Sequence, residues 1–169
     1  MIETIDNYLN ETEVNNFYES LKHSSIPWFI GPDHLDSKIK NKSFVKGFIG
    51  REIDFLVNDF TPVKNLYIKL KHLGPIVKIH FNLVKPGDRF DFHTDAQGMS
   101  VLVYLNPIWK PWWGSGTQFR KPNKVVRPKP GRAIFFNGQI EHRCIAPNLL
   151  MNDYGRLSVV YQFGKNQNF

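Results

Sequence analysis

Cysteine is almost absent from this sequence: Cys144 is the single one among 169 residues. An internal disulfide is therefore excluded, as is every multi-cysteine metal site, and any bound metal has to rely on imidazole and carboxylate ligands. Long apolar runs are missing too. The longest is the five residues Val101 to Leu105, against the roughly 20 that a membrane-spanning helix needs. The opening residues, Met1-Ile2-Glu3-Thr4-Ile5-Asp6, have neither a basic start nor an apolar stretch, which predicts a soluble, cytoplasmic protein with no membrane partner. No repeat, low-complexity tract or linker interrupts the chain, so one domain is expected over residues 1–169.

Acidic residues are scarce in the second part of the chain. Residues 1–60 carry six Lys/Arg and ten Asp/Glu, whereas residues 61–169 carry sixteen and five, for a net charge of +7 overall. The densest run of cations is Arg120, Lys121, Lys124, Arg127, Lys129 and Arg132. A solvated loop surface accounts for it more simply than a nucleic-acid site does.

Aromatics are plentiful, with 14 Phe, 6 Tyr and 4 Trp, which favours strands. Two helices are nevertheless legible near the start. Asn10-Glu11-Thr12-Glu13 reads as a capping box, followed by Val14, Phe17, Tyr18 and Leu21 at helical spacing. Thr61-Pro62 reads as a cap with proline at the first helical position, followed by Val63, Leu66, Tyr67 and Leu70, with a stop at Gly74-Pro75. Between them, residues 26–60 give no clear pattern beyond turns at Pro27 and Gly31-Pro32 and helical character over 51–60.

From Ile76 the period changes to that of strands. Eight apolar runs separated by turn residues predict a mainly β (α+β) fold, a double-stranded β-helix or jelly roll over 76–163 supported by a helical region over 1–75. In the first strand Val77, Ile79, Phe81 and Leu83 should face the helices, and Lys78, His80, Asn82 and Val84 the interior of the roll.

The chemistry-bearing residues fall in this second part. His93-Thr94-Asp95 puts an imidazole and a carboxylate on one side of an extended segment, and His142, on a later strand, is the best candidate for a third ligand. Two histidines and one carboxylate form the facial set that holds Fe(II) and leaves positions open for a bidentate ligand and O2. The surroundings extend this pattern: Pro86-Gly87, the strand ending Tyr104-Leu105-Asn106-Pro107, Trp113-Gly114-Ser115-Gly116, Pro130-Gly131-Arg132-Ala133-Ile134-Phe135-Phe136, and Arg156-Leu157-Ser158.

In these motifs and their order the sequence resembles the 2-oxoglutarate/Fe(II) dioxygenases, in particular the prolyl-4-hydroxylase-like branch with its small bacterial and phage-encoded members. The resemblance implies His93, Asp95 and His142 as catalytic iron ligands. It implies Arg156, with Ser158 and Tyr104, at the far carboxylate of 2-oxoglutarate, and Asn82 as a further cosubstrate contact. The implied activity is hydroxylation of a C–H bond on a peptidyl or free amino acid such as proline, with release of succinate and CO2 and with ascorbate as reductant. Two other readings remain. An AlkB-like nucleic-acid demethylase is disfavoured by Gln162, which stands where those enzymes carry a second arginine. The other is a cupin-like roll that holds a metal or ligand without turnover. Cys144 is expected to act as a small buried hydrophobe, and Trp109, Trp112 and Trp113 as an entrance lip or as packing beneath a loop.

Overall fold

The computed structural model describes residues 1–24, 29–31, 43–49, 59–95, 98–151 and 155–164, with backbone only over 29–31 and 43–49. It is mostly antiparallel β with two helices: β1 (Ile2–Ile5), α1 (Glu11–Lys22), β2 (Phe29–Gly31), β3 (Ser43–Ile49), α2 (Thr61–Leu70), β4 (Ile76–Val84), β5 (Met99–Tyr104), β6 (Gly114–Phe119), β7 (Lys124–Val126), β8 (Ala133–Asn137), β9 (His142–Pro147) and β10 (Arg156–Phe163). Seven strands form one sheet in the order β1-β8-β5-β10-β4-β3-β2, and three form a second in the order β7-β6-β9.

The helices form where the sequence predicts them. Asn10 Oδ1 accepts from the Glu13 amide and Glu13 Oε2 accepts from the Asn10 amide, both at 2.9 Å, so two otherwise orphaned N–H groups at the start of α1 are satisfied. At α2 the cap is Phe60 rather than Thr61, which puts Pro62 at the second helical position. Thr61 makes no capping hydrogen bond because the helix begins with it. A 3₁₀ turn over Lys71–Leu73 then leads to Gly74.

Val14, Phe17 and Leu21 of α1 and Val63, Leu66 and Leu70 of α2 pack with Ile79, Phe81, Val101, Val103, Val159, Tyr161 and Phe163 of the large sheet. The buried Tyr161 hydroxyl donates to Val63 O at 3.1 Å, which ties sheet to helix with a satisfied polar group. The alternation predicted for β4 is therefore observed, apart from Val77 at the open end, which is exposed. The other face of the large sheet contributes Leu102, Tyr104, Ile134, Phe136 and Val160 to a second core, shared with Phe119 and Val126 of the small sheet. This second core is the space between the sheets, and the site lies at its edge.

Three features differ from the sequence reading. The first 75 residues supply strands as well as helices: β1 adds to β8, with Ile2 opposite Phe136, and β3 adds to β4. The run Arg89–His93 is not a strand, because among the described residues its only ladder contact is the single pair His93 and His142. The helical character expected over 51–58 lies outside the described residues. Among the described residues no helix is long and apolar enough to cross a membrane.

Candidate active site

His93 and His142 exchange both backbone hydrogen bonds, each at 2.9 Å, so they are directly opposed and their side chains leave the same face of the small sheet. The ring centroids are 4.4 Å apart. Asp95 is brought in by the turn after β8: its amide donates to Gly138 O at 2.7 Å, and Gln139 Nε2 donates to its carbonyl at 3.1 Å. Gly98, which closes this loop onto β5, has φ +141°, and a Cβ there would lie 1.9 Å from Phe163 O, so only glycine fits. Ligand atoms of His93, Asp95 and His142 all lie within 4.8 Å of one another, and His142 Nε2 is 3.7 Å from Asp95 Oδ2.

Neighbouring groups orient these three side chains. His142 Nδ1 lies 2.9 Å from Ile140 O; donating there fixes the tautomer and leaves the Nε2 lone pair facing Asp95. His93 Nδ1 is 3.3 Å from Asp91 O, a looser version of the same arrangement. Ser100 Oγ donates to Asp95 Oδ2 at 2.6 Å. The His142 ring is further confined by Phe136 and Phe119, with centroids at 4.7 and 6.0 Å. A small divalent cation suits this donor set of two imidazole nitrogens and one carboxylate oxygen.

The three residues share a cavity with Arg156, Asn82 and His80, and it holds about 370 Å³ of empty space, its open mouth included. Arg156, at the start of β10, is 1% exposed, with Nη1 donating to Gly116 O at 2.9 Å and the guanidinium 5.5 Å from the Tyr104 ring centroid. Its Nε has no hydrogen-bond partner, and among the described residues it forms no ion pair. A buried cation without a counter-charge is costly, and this one is aimed into a cavity where an anion can reach it. Burial holds the His80 imidazole down at about 3, so that ring is neutral at physiological pH.

The other expected cosubstrate residues are placed less directly. Asn82 lines the cavity. Tyr104 does not, since its hydroxyl donates to Val126 O at 3.1 Å and sits 2.9 Å from Thr117 Oγ1. Burial raises the Tyr104 phenol above its ordinary value, so it stays a donor. Ser158 is fully buried beside Tyr104 and Asn82, its Oγ without a partner. Thr117, which the sequence did not single out, lines the cavity on this side. Only the pairing of Thr117 with Cys144 across β6 and β9 reveals that role. Cys144 also lines the cavity and is partly exposed, rather than being a buried hydrophobe.

The outer surroundings are conventional. In the cationic run, Arg120 pairs with Glu141 at 2.9 Å, and Lys129 and Arg132 both pair with Asp6, at 2.9 and 2.5 Å; Arg120 and Lys129 are exposed, whereas the Arg132 side chain is mostly buried. Trp113 is buried against Trp109, while Trp112 is exposed.

No protein-family model and no curated protein matches the sequence. Solved structures do match in shape. A prolyl-4-hydroxylase from Pseudomonas putida superposes with a TM-score of 0.60 at 18% identity, over 98% of this chain and 92% of that one. A prolyl hydroxylase from Trichoplax adhaerens, solved with a fragment of the oxygen degradation domain of hypoxia inducible factor, gives 0.62 at 20% identity over 95% and 81%. A non-haem alpha-ketoglutarate-dependent carbocyclase of nogalamycin biosynthesis gives 0.61 at 15% identity over 96% and 79%. By its arrangement of sheets and helices, then, the chain has the fold of the 2-oxoglutarate/Fe(II) oxygenases, the prolyl hydroxylases among them.

Proposed function

We propose that the chain is a 2-oxoglutarate- and Fe(II)-dependent dioxygenase, formed by residues 1–169 as one domain, that hydroxylates a C–H bond on a peptidyl or free amino acid such as proline. The observation that carries the reading is the Arg156 cation, without an ion-pair partner among the described residues and buried in the same cavity as the converging His93, Asp95 and His142. Either feature alone has ordinary explanations. Together they describe a site for a metal and a dianion at once, which a simple metal-binding roll has no need of.

The fold is read as a jelly roll on the way its last eight segments cross between the two sheets, at every step but that from β6 to β7. β4, β5, β8 and β10 lie in the large sheet, while β6, β7, β9 and the His93 segment lie in the small one, so successive segments wrap around the cavity. That wrapping is why ligands 47 residues apart in sequence, Asp95 and His142, meet in space.

His93, Asp95 and His142 hold the metal on one side. Bound there, Fe(II) with 2-oxoglutarate and O2 supplies the oxidation, in which the cosubstrate leaves as succinate and CO2 and one C–H of the substrate becomes C–OH. Arg156 holds the far carboxylate by charge-assisted hydrogen bonds, with Thr117, Asn82 and Ser158 as neutral partners nearby and Tyr104 supporting the arginine through its ring. Leu102, Phe136 and Val160 keep the cavity walls apolar, which strengthens each of these polar contacts and limits water.

Succinate formation tests the reading. With Fe(II), ascorbate and 2-oxoglutarate the protein should release succinate slowly even without its own substrate, and faster when proline or a proline-containing peptide serves. No succinate under any of these conditions would reject the oxygenase in favour of a binding module.

A further inference from the structure

His80 stands on the inner face of β4, opposite Val160 of β10, and lines the cavity with the three ligand candidates and Arg156. Its Nδ1 is buried without a hydrogen-bond partner. The neighbours in its row, Val160 and Leu102, are apolar and buried. An unpaired polar ring in such a row works against folding, and a leucine would fill the same space without that cost. The ring is not one of the converging metal ligands, which are His93, Asp95 and His142. Nδ1 is closed off from the cavity that the ring lines, so the N–H that a cavity ligand can meet is the one on Nε2.

Spacing along the strands says which part of a ligand His80 meets. Arg156 pairs with Val84, four residues from His80 on the same strand, an interval of about 13 Å at roughly 3.3 Å per residue. The Arg156 side chain spans part of that interval, and the remainder suits a five-carbon dicarboxylate held at its far end. The near end then lies beside His80 and the metal site together.

We propose that His80 donates a hydrogen bond to the metal-proximal carboxylate of the dicarboxylate cosubstrate, making it a second cosubstrate-binding residue at the end opposite Arg156. The assignment rests on the oxygenase reading. A neutral imidazole has one N–H to give, and a bond from it to a carboxylate oxygen is charge-assisted.

The test compares the parent with His80→Leu and His80→Gln in two measurements. Anaerobic titration of the Fe(II)-loaded proteins with 2-oxoglutarate, followed by the visible charge-transfer band, gives the band position and the apparent Kd. Thermal melting without metal or cosubstrate reports folding. His80→Leu should melt higher than the parent yet bind 2-oxoglutarate about tenfold more weakly, with a shifted band. His80→Gln, which retains a donor, should recover part of the affinity. Iron affinity, read by competition with a chromophoric chelator, should be the same in all three. An unchanged band and Kd in His80→Leu, with a normal band in the parent, overturns this inference alone, including the case in which hydroxylation is lost and the ring serves the other substrate. Absence of the band in the parent overturns the oxygenase reading and this inference with it.

Discussion

Arg156→Met removes the buried cation while leaving a long, adaptable side chain in its space. The variant loses the hydrogen bond to Gly116 O and the contact with the Tyr104 ring. These are worth about 1.5–3 kcal/mol for a charged donor and up to about 2 kcal/mol for a desolvated cation–π pair. It also removes an unpartnered buried donor, which returns about 1–3 kcal/mol, and the desolvation cost of an unpaired cation, several kcal/mol more before relaxation. The two sides largely cancel, so the unliganded variant should unfold within about 2 kcal/mol of the parent. Binding should be much weaker. Truncating one side of a buried charge pair costs about 2–5 kcal/mol, or roughly 30-fold to several thousandfold in affinity for 2-oxoglutarate. Urea unfolding of the Zn(II)-loaded proteins with and without 2-oxoglutarate measures both quantities. The parent should gain about 2.7 kcal/mol at a hundredfold excess over its Kd, and the variant at most about 0.9 kcal/mol at the same concentration. Equal stabilisation of parent and variant by 2-oxoglutarate would refute the role given to Arg156.

Three further predictions follow from contacts around the site and the N-terminus. Ser100→Ala removes the 2.6 Å hydrogen bond that orients Asp95 and should weaken metal binding by about 10- to 100-fold in a chelator competition, with the far-UV spectrum unchanged. Asn106→Ala deletes two buried hydrogen bonds, Nδ2 to Gly155 O at 3.0 Å and Oδ1 from the Leu157 amide at 2.7 Å, and should cost about 2–4 kcal/mol in urea unfolding while misplacing Arg156. Asp6→Asn should cost about 0.5–1 kcal/mol at pH 7, a value kept small because the Asp6 and Lys129 side chains are exposed to solvent. The Arg132 hydrogen bond, followed by that from Lys129, holds the Asp6 carboxyl at about 2, below its usual 3.8. A folded-state value below the unfolded one means this stability is full above about pH 4 and is lost as pH falls, so urea midpoints of parent and variant should converge near pH 2.

Much of the structure was legible from local chemistry. The Asn10–Glu13 capping box and the spacing of Val14, Phe17 and Leu21 define α1, because a helix and its cap are local in sequence. Period-2 alternation in β4 correctly divides Phe81 from His80 and Asn82. The His93-Thr94-Asp95 and His142 set was visible as a pattern, and the structure brings those side chains together. What stayed hidden depends on pairing between distant strands. Nothing in Ile2–Ile5 announces that β1 completes the large sheet against β8, and Thr117 reaches the cavity only because β6 pairs with β9. The status of Tyr104 likewise turns on Val126 and Thr117, which occupy its hydroxyl from another strand. Arg89–His93 reads as a strand on composition, yet among the described residues only His93 makes a ladder pair.

On the oxygenase reading, His93, Asp95 and His142 bind one divalent ion together with 2-oxoglutarate. Anaerobic addition of one equivalent of Fe(II) and excess 2-oxoglutarate should give the parent a weak visible absorption that saturates at one iron per chain and is absent in His93→Ala. The same absorption persisting undiminished in His93→Ala would mean that the metal is held somewhere else.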